Sequence, residues 1–174
     1  DECITAPPID EGLNGPYNND SATVSAPAWP CAPADADVWF SFTPITTGTY
    51  EVTTCGLATF DTVLQLFSGP CGSLTSLDCN DDACGVQSSV SSMLTANTTY
   101  YVRLGGYNGA TGPFWLEVNR LPGTGTFTSD GLNCGGLTMS TTGNPDIGTT
   151  ISFTIGPVTG TGVLWLGAPS VSYT

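Results

Sequence analysis

Between residues 60 and 85 the chain reads FDTVLQLFSGPCGSLTSLDCNDDACG, a span with three cysteines, four aspartates and no Lys, Arg or His. The acids are Asp61, Asp78, Asp81 and Asp82, and no basic side chain precedes Arg103 anywhere in the sequence. Two carboxylates about 4 Å apart in a half-solvated setting repel by about 4 kcal/mol at an effective dielectric near 20. A hard cation with oxygen ligands relieves that repulsion. Calcium takes about six to eight oxygens, mixing carboxylates, carbonyls and water. Asp61 stands at the start of a strand-like run, and Asn80-Asp81-Asp82 makes a tight polar turn that disulfides at Cys79 and Cys84 could hold near it. Asp61, Asn80, Asp81 and Asp82 are therefore the candidate Ca2+ ligands. The competing account is a solvated acidic turn in a chain that is acidic throughout. The spacing is not that of an EF-hand, which fixes a Gly and a distal Glu at set offsets.

Other chemistries are narrowed by what the composition lacks. Without histidine there is no Ser-His-Asp or Cys-His arrangement, and without lysine no Ser-Lys variant. A carboxylate pair such as Asp61 with Asp81 has the residue types of a glycosidase, but metal ligation or plain surface acidity explains those residues better. The expectation is a protein that is not an enzyme, with no catalytic residues. Net charge is −13, and Arg103 and Arg120 are the only cations, so phosphate neutralisation and attraction to an anionic membrane both fail. No apolar run approaches the ~20 residues of a membrane-spanning helix. Trp39, Phe40, Tyr100, Tyr101, Trp115 and Trp165 could form a sugar-binding face, although each lies in an alternating strand where core packing is the default.

Seven cysteines without a histidine argue for oxidised structural pairs in an extracellular, cell-surface or periplasmic setting. The opening DECITAPP, with neither Met nor an apolar run, suits a mature, processed chain. Neighbourhood favours Cys71–Cys79 as a short-range pair and Cys3–Cys31 as a staple for the turn-rich start, which leaves Cys55–Cys84 and an unpaired Cys134. Six cysteines allow about fifteen connectivities, and this is the expected one. Asn19-Asp20-Ser21 and Asn97-Thr98-Thr99 fit the acceptor pattern for N-glycans, and the Thr-rich tail equally suits O-glycosylation.

The elements that must position these residues read as strands. Gly 22, Pro 13 and scarce helix formers point to turns and short extended runs. DVWFSFT (37–43) alternates, with Val38, Phe40 and Phe42 on one face, and TYEVTT (49–54) follows. TVLQLF (62–67) sets Val63, Gln65 and Phe67 opposite Leu64 and Leu66. SSVSSML (88–94), TTYYVRLGG (98–106) and PFWLEV (113–118) complete a set of about six, punctuated by Gly and Asn turns. Residues 1–30, rich in turns, are expected to wrap an edge. The fold class is all-β, a β-sandwich or jelly roll over residues 1–120. A linker spans 121–125, and a short, incomplete β region spans 126–174.

The run DVWFSFTPITTGTYEVTTCG, FDTVLQLFSGPCG, LDCNDDACGVQSSV and TTYYVRLGGYNGATGPFWLEV resembles the bacterial pre-peptidase C-terminal domain. These β-sandwich modules are appended to secreted proteases and occur in many surface proteins, and the likeness covers residues 1–118 or so. GNPDIGTTISFTI with GVLWLG resembles the first half of a Gly-rich β domain from the C-termini of large secreted bacterial proteins. The chain departs from that pattern by stopping at SVSYT, where more strands and a second cysteine would follow. The resemblance implies a non-catalytic module. Two functions compete. One is a structural subunit of a cell-surface or extracellular filament, a homopolymer in which residues 126–174 are completed by strands of a neighbouring copy, with residues 1–30 as a candidate donor. The other is a calcium-stabilised accessory module that binds carbohydrate or cell wall within a larger secreted enzyme. A third account makes the 174 residues a fragment whose remainder holds the function.

Overall fold

The computed structural model describes residues 2–122 and two later strands, 139–142 and 152–155. It divides into two compact units, residues 1–122 and 123–174. A 3-10 turn at Cys3–Thr5 precedes β1 (Pro8–Ile9), β2 (Gly12–Asn18), β3 (Ala34–Phe42), β4 (Gly48–Thr53) and β5 (Thr62–Ser68). Then come β6 (Thr75–Asn80), β7 (Ser89–Leu94), β8 (Tyr100–Tyr107) and β9 (Pro113–Arg120). In the second unit β10 (Met139–Thr142) and β11 (Ser152–Ile155) pair antiparallel.

The first unit is a β-sandwich. One sheet has the order β1-β3-β8-β5-β6 and the other β2-β9-β4-β7, so the chain passes back and forth between layers. Period-two alternation dictates the core. Phe40 and Phe42 from β3, Leu64 and Leu66 from β5 and Val102 and Leu104 from β8 face inward. They meet Tyr50, Val52, Val90, Leu94, Phe114, Leu116 and Val118 from the other sheet. Burying such side chains is worth about 1.5–3 kcal/mol each, which makes this layer the main source of stability.

The opposite face of the first sheet is buried as well. Trp39, Val63, Gln65, Phe67 and Arg103 are all almost fully enclosed, although they point away from the core. Residues 19–33 cover them as a third layer. Arg103 fastens this cover: its guanidinium donates to the carbonyls of Pro27 (2.6 Å) and Ser25 (2.5 Å) and lies 4.1 Å from the centre of the Trp29 ring. The same guanidinium makes two 3.1 Å bonds to Asp37, a pair with no exposed side-chain surface. Asp37 also accepts from the Ser25 amide and hydroxyl and from the Trp39 indole, so both buried charges are fully engaged.

The disulfides are Cys3–Cys71, Cys31–Cys79 and Cys55–Cys84, with Cα separations of 5.7, 5.8 and 5.8 Å. Only Cys55–Cys84 matches the expected pairing; Cys3–Cys31 and Cys71–Cys79 are corrected. The reason is β6, an extended strand between the two cysteines where a short-range pair needs a tight loop. Thr75 to Cys79 is four steps of extended strand, roughly 13 Å, and Cys71 lies beyond it in the β5–β6 turn. A disulfide spans at most about 7 Å between Cα atoms. Cys79 stands opposite Gln65 on the covered face, where Cys31 arrives with the third layer. Cys134 lies outside the described residues.

Within residues 1–30 lie β1 and β2, the outer strands of the two sheets. They pair with β3 and β9, respectively, of their own sandwich. Across the opposite side, β6 reaches β7 through side chains. The Asp78 carboxylate accepts the Ser91 amide (2.8 Å) and Asn80 accepts the Ser89 amide (3.1 Å). Both are N–H groups of an edge strand, so the exposed rung that invites foreign strands is capped from within.

Candidate metal centre

Register brings the acids together. β5 and β6 run antiparallel with Leu64 opposite Asn80. Asp61, three residues before Leu64, therefore lies at the same end of the hairpin as Asp81 and Asp82, which follow Asn80. The chain then curls back: the amides of Ala83 and Cys84 donate to the Gln87 carbonyl, and the Thr62 amide to that of Val86. Cys55–Cys84 clamps this curl to the end of β4.

Ser88, wholly buried, pins the two acid-bearing segments to each other. Its hydroxyl lies 2.6 Å from the Asp81 carbonyl and within hydrogen-bond reach of the Thr62 carbonyl. Its amide donates to the hydroxyls of Thr54 (3.0 Å) and Thr62 (3.2 Å), themselves 2.8 Å apart. A dry hydroxyl network thus sits directly behind the acids and fixes their spacing.

Asp61, Asp81 and Asp82 each offer one oxygen within 4.8 Å of the others. Asp61 Oδ1 and Asp81 Oδ1 are buried and accept no hydrogen bond among the described residues. Burial raises the Asp61 carboxyl above the ordinary carboxylate value, with the Asp82 charge adding to it. Asp81 is raised by burial first, then by Asp82 and Asp61. Neither arginine relieves the cluster: Arg103 is bound to Asp37, and Arg120 lies against Thr47 and Gly48. Buried carboxylate oxygens without donors, facing a third carboxylate, fit a hard divalent cation such as Ca2+. Asn80, expected beside them, turns its Oδ1 to the Ser89 amide, and Asp78 is engaged with Ser91 and Cys79.

Other expected sites fare differently. Asn19 is 1% exposed, with its amide donating to Ala36 and Ala110 and accepting from Gly112, so it cannot carry a glycan in the folded state. Asn97 is exposed on the β7–β8 turn with φ 58°. Trp39, Phe40 and Tyr100 are buried, Tyr101 and Trp115 are half-buried, and Trp165 lies outside the described residues. Sequence reasoning passed over Trp29, whose only signal was an aromatic inside a Pro-rich loop. Among the described residues no helix is long and apolar enough to cross a membrane. No protein-family model and no curated protein matches this chain.

Proposed function

We propose that this chain is a non-catalytic extracellular structural protein, stabilised by calcium, which serves as a subunit of a cell-surface or extracellular filament. The observation that carries the reading is the triad of Asp61, Asp81 and Asp82, with two buried oxygens that have no donor among the described residues, on a sandwich held by three disulfides. Disulfides suit an oxidising compartment outside the cell, where calcium is abundant. In this reading the cation neutralises the loop between β6 and β7 and thereby completes the fold. The likeness of residues 1–118 to the pre-peptidase C-terminal domain, a non-catalytic module of secreted proteins, is in keeping with this. Residues 126–174 take the assembling role, by strand exchange with a neighbouring copy.

Thermal unfolding in EDTA and in millimolar calcium tests the metal. A ligand that binds only the native state raises the melting temperature by mass action, so calcium should raise it and magnesium less. Identical melting curves in the two buffers would refute the calcium site.

A further inference from the structure

We propose that Asn97 is a modification site that carries an N-linked glycan, and that Asn19 is not. Asn97-Thr98-Thr99 and Asn19-Asp20-Ser21 both match the acceptor pattern, and a tripeptide alone does not choose between them. The fold does. The choice rests neither on the metal nor on assembly.

Asn97, Thr98 and Thr99 are all exposed. The backbone amide of Asn97 donates to the Pro44 carbonyl (2.8 Å), while no hydrogen bond holds its side chain among the described residues. Its side-chain nitrogen can therefore take a bulky substituent without breaking any bond in the fold. Asn19 is the opposite case. Its side-chain nitrogen donates to the carbonyls of Ala36 (2.9 Å) and Ala110 (3.3 Å), and its oxygen accepts the Gly112 amide (2.9 Å). A glycan there would sever the contacts that tie the end of β2 to β3 and to the β8–β9 turn. A left-handed φ of 58° explains why position 97 favours Asn or Gly, but it asks for no hydroxyl two residues on.

The surroundings suit a neutral, solvated group. The β3–β4 turn, TPITT at 43–47, and the β7–β8 turn, TANTT at 95–99, are bonded to each other. The Ala96 amide donates to the Thr47 hydroxyl (2.9 Å), and the hydroxyls of Thr43 and Thr99 lie 3.0 Å apart. Neither turn contains a charged residue, in a chain with 15 acids, and Ile45 is 82% exposed. This end of the sandwich lacks the charge that keeps copies apart elsewhere, and a glycan supplies solvated bulk in its place. The acid cluster is at the other end: β7 runs from Ser89, bonded to Asn80, to Leu94, just before this turn. A glycan on Asn97 thus leaves that cluster open.

The transfer takes an oligosaccharide activated on a polyprenyl pyrophosphate and an oligosaccharyltransferase. The Asn97 amide nitrogen bonds to C1 of the first sugar as the bond from C1 to the pyrophosphate oxygen breaks. The carrier leaves as its pyrophosphate, and the amide proton passes to a base of the transferase.

The test is peptide mapping of the native protein, treated with an N-glycan-releasing amidase in heavy-oxygen water, which converts a glycosylated Asn to labelled Asp. We expect label at Asn97 and none at Asn19. Thr99→Ala, produced in the same cells, should lose the label while still folding, and Thr99→Ser should keep it. Asn97→Gly preserves the left-handed turn and should fold without the glycan. Native Asn97 without label, label at Asn19, or label that survives in Thr99→Ala would each overturn the proposal. Sugar found on threonines alone, released by β-elimination, would overturn it too.

Discussion

Asp81 is under two opposed demands. Its backbone carbonyl is bound by Ser88, so its position is fixed, yet its carboxylate faces Asp61 and Asp82 and has a buried oxygen without a donor. Because burial and its neighbours raise the folded-state values of Asp61 and Asp81, the native state holds those protons more tightly than the unfolded chain. Their contribution to stability is therefore present below the ordinary value of 3.8 and is lost as pH rises through the raised values. Calcium bound at this candidate site would reverse the sign, since it requires both groups ionised. Asp81→Asn should thus melt a few degrees higher than the parent in EDTA at neutral pH, while losing the calcium-induced rise. The change also takes the net charge from −13 to about −12, so the exposed Asp20→Asn variant serves as the control for general repulsion. A variant that melts lower in EDTA and still responds to calcium would contradict the ligand role of Asp81. Arg103 is the converse case, a buried charge with every partner in place. Arg103→Ala strands Asp37 without its counter-charge and uncovers Trp29, and should cost about 3–5 kcal/mol, measured by denaturant unfolding.

β6 is a strand without a buried residue. Six strands, β3, β4, β5, β7, β8 and β9, were legible because Val, Phe, Leu and Tyr alternate or cluster there between Gly and Asn turns. TSLDCN has no such pattern: its residues are exposed or half-exposed, and its work is done by Asp78, Cys79 and Asn80 through side-chain bonds. β2, GLNGPYN, contains Gly and Pro and survives as a strand only at a sheet edge, where a missing N–H is harmless. The third layer was invisible for a related reason, since nothing in a Pro-rich loop announces that both faces of β5 will be buried. The acid cluster was legible because it needs only local spacing and one hairpin register, whereas the disulfides needed the long-range topology. Peptide mapping without reduction should recover Cys3–Cys71, Cys31–Cys79 and Cys55–Cys84. A peptide joining Cys71 to Cys79 would show that β6 is not extended. Asp78→Ala should free the Ser91 amide on the β7 edge and promote concentration-dependent association, visible by light scattering.

At the scale of the whole chain, the two units lead to different expectations for assembly. The sandwich of residues 1–122 has its own core, and both of its open sides are bridged. β1 and β2 are joined by the short turn that Asn14 pins through Asp10, and β6 caps β7 through Asp78 and Asn80. Such a unit has its β7 edge capped by side chains and carries a strongly acidic surface, both of which keep copies apart. The second unit is different in texture. Its described strands, β10 and β11, pair as a ribbon of four residues each, and two-stranded ribbons need further strands or packing to hold in water. If residues 126–174 are where copies exchange strands, assembly belongs to that segment alone. A chain cut after Pro122 should then be monomeric at every concentration, with the calcium-dependent melting of the parent, while the full chain forms fibres under negative stain. In this reading the donor strand comes from within 126–174, since residues 1–30 pair with their own sheets and Cys3 is bonded to Cys71. Mixing full chains with an excess of the isolated 126–174 peptide should therefore cap fibre growth, whereas a peptide of residues 1–30 should leave it unchanged. Full chains that stay monodisperse and monomeric in calcium would end the filament reading and leave the sandwich and the candidate metal centre untouched.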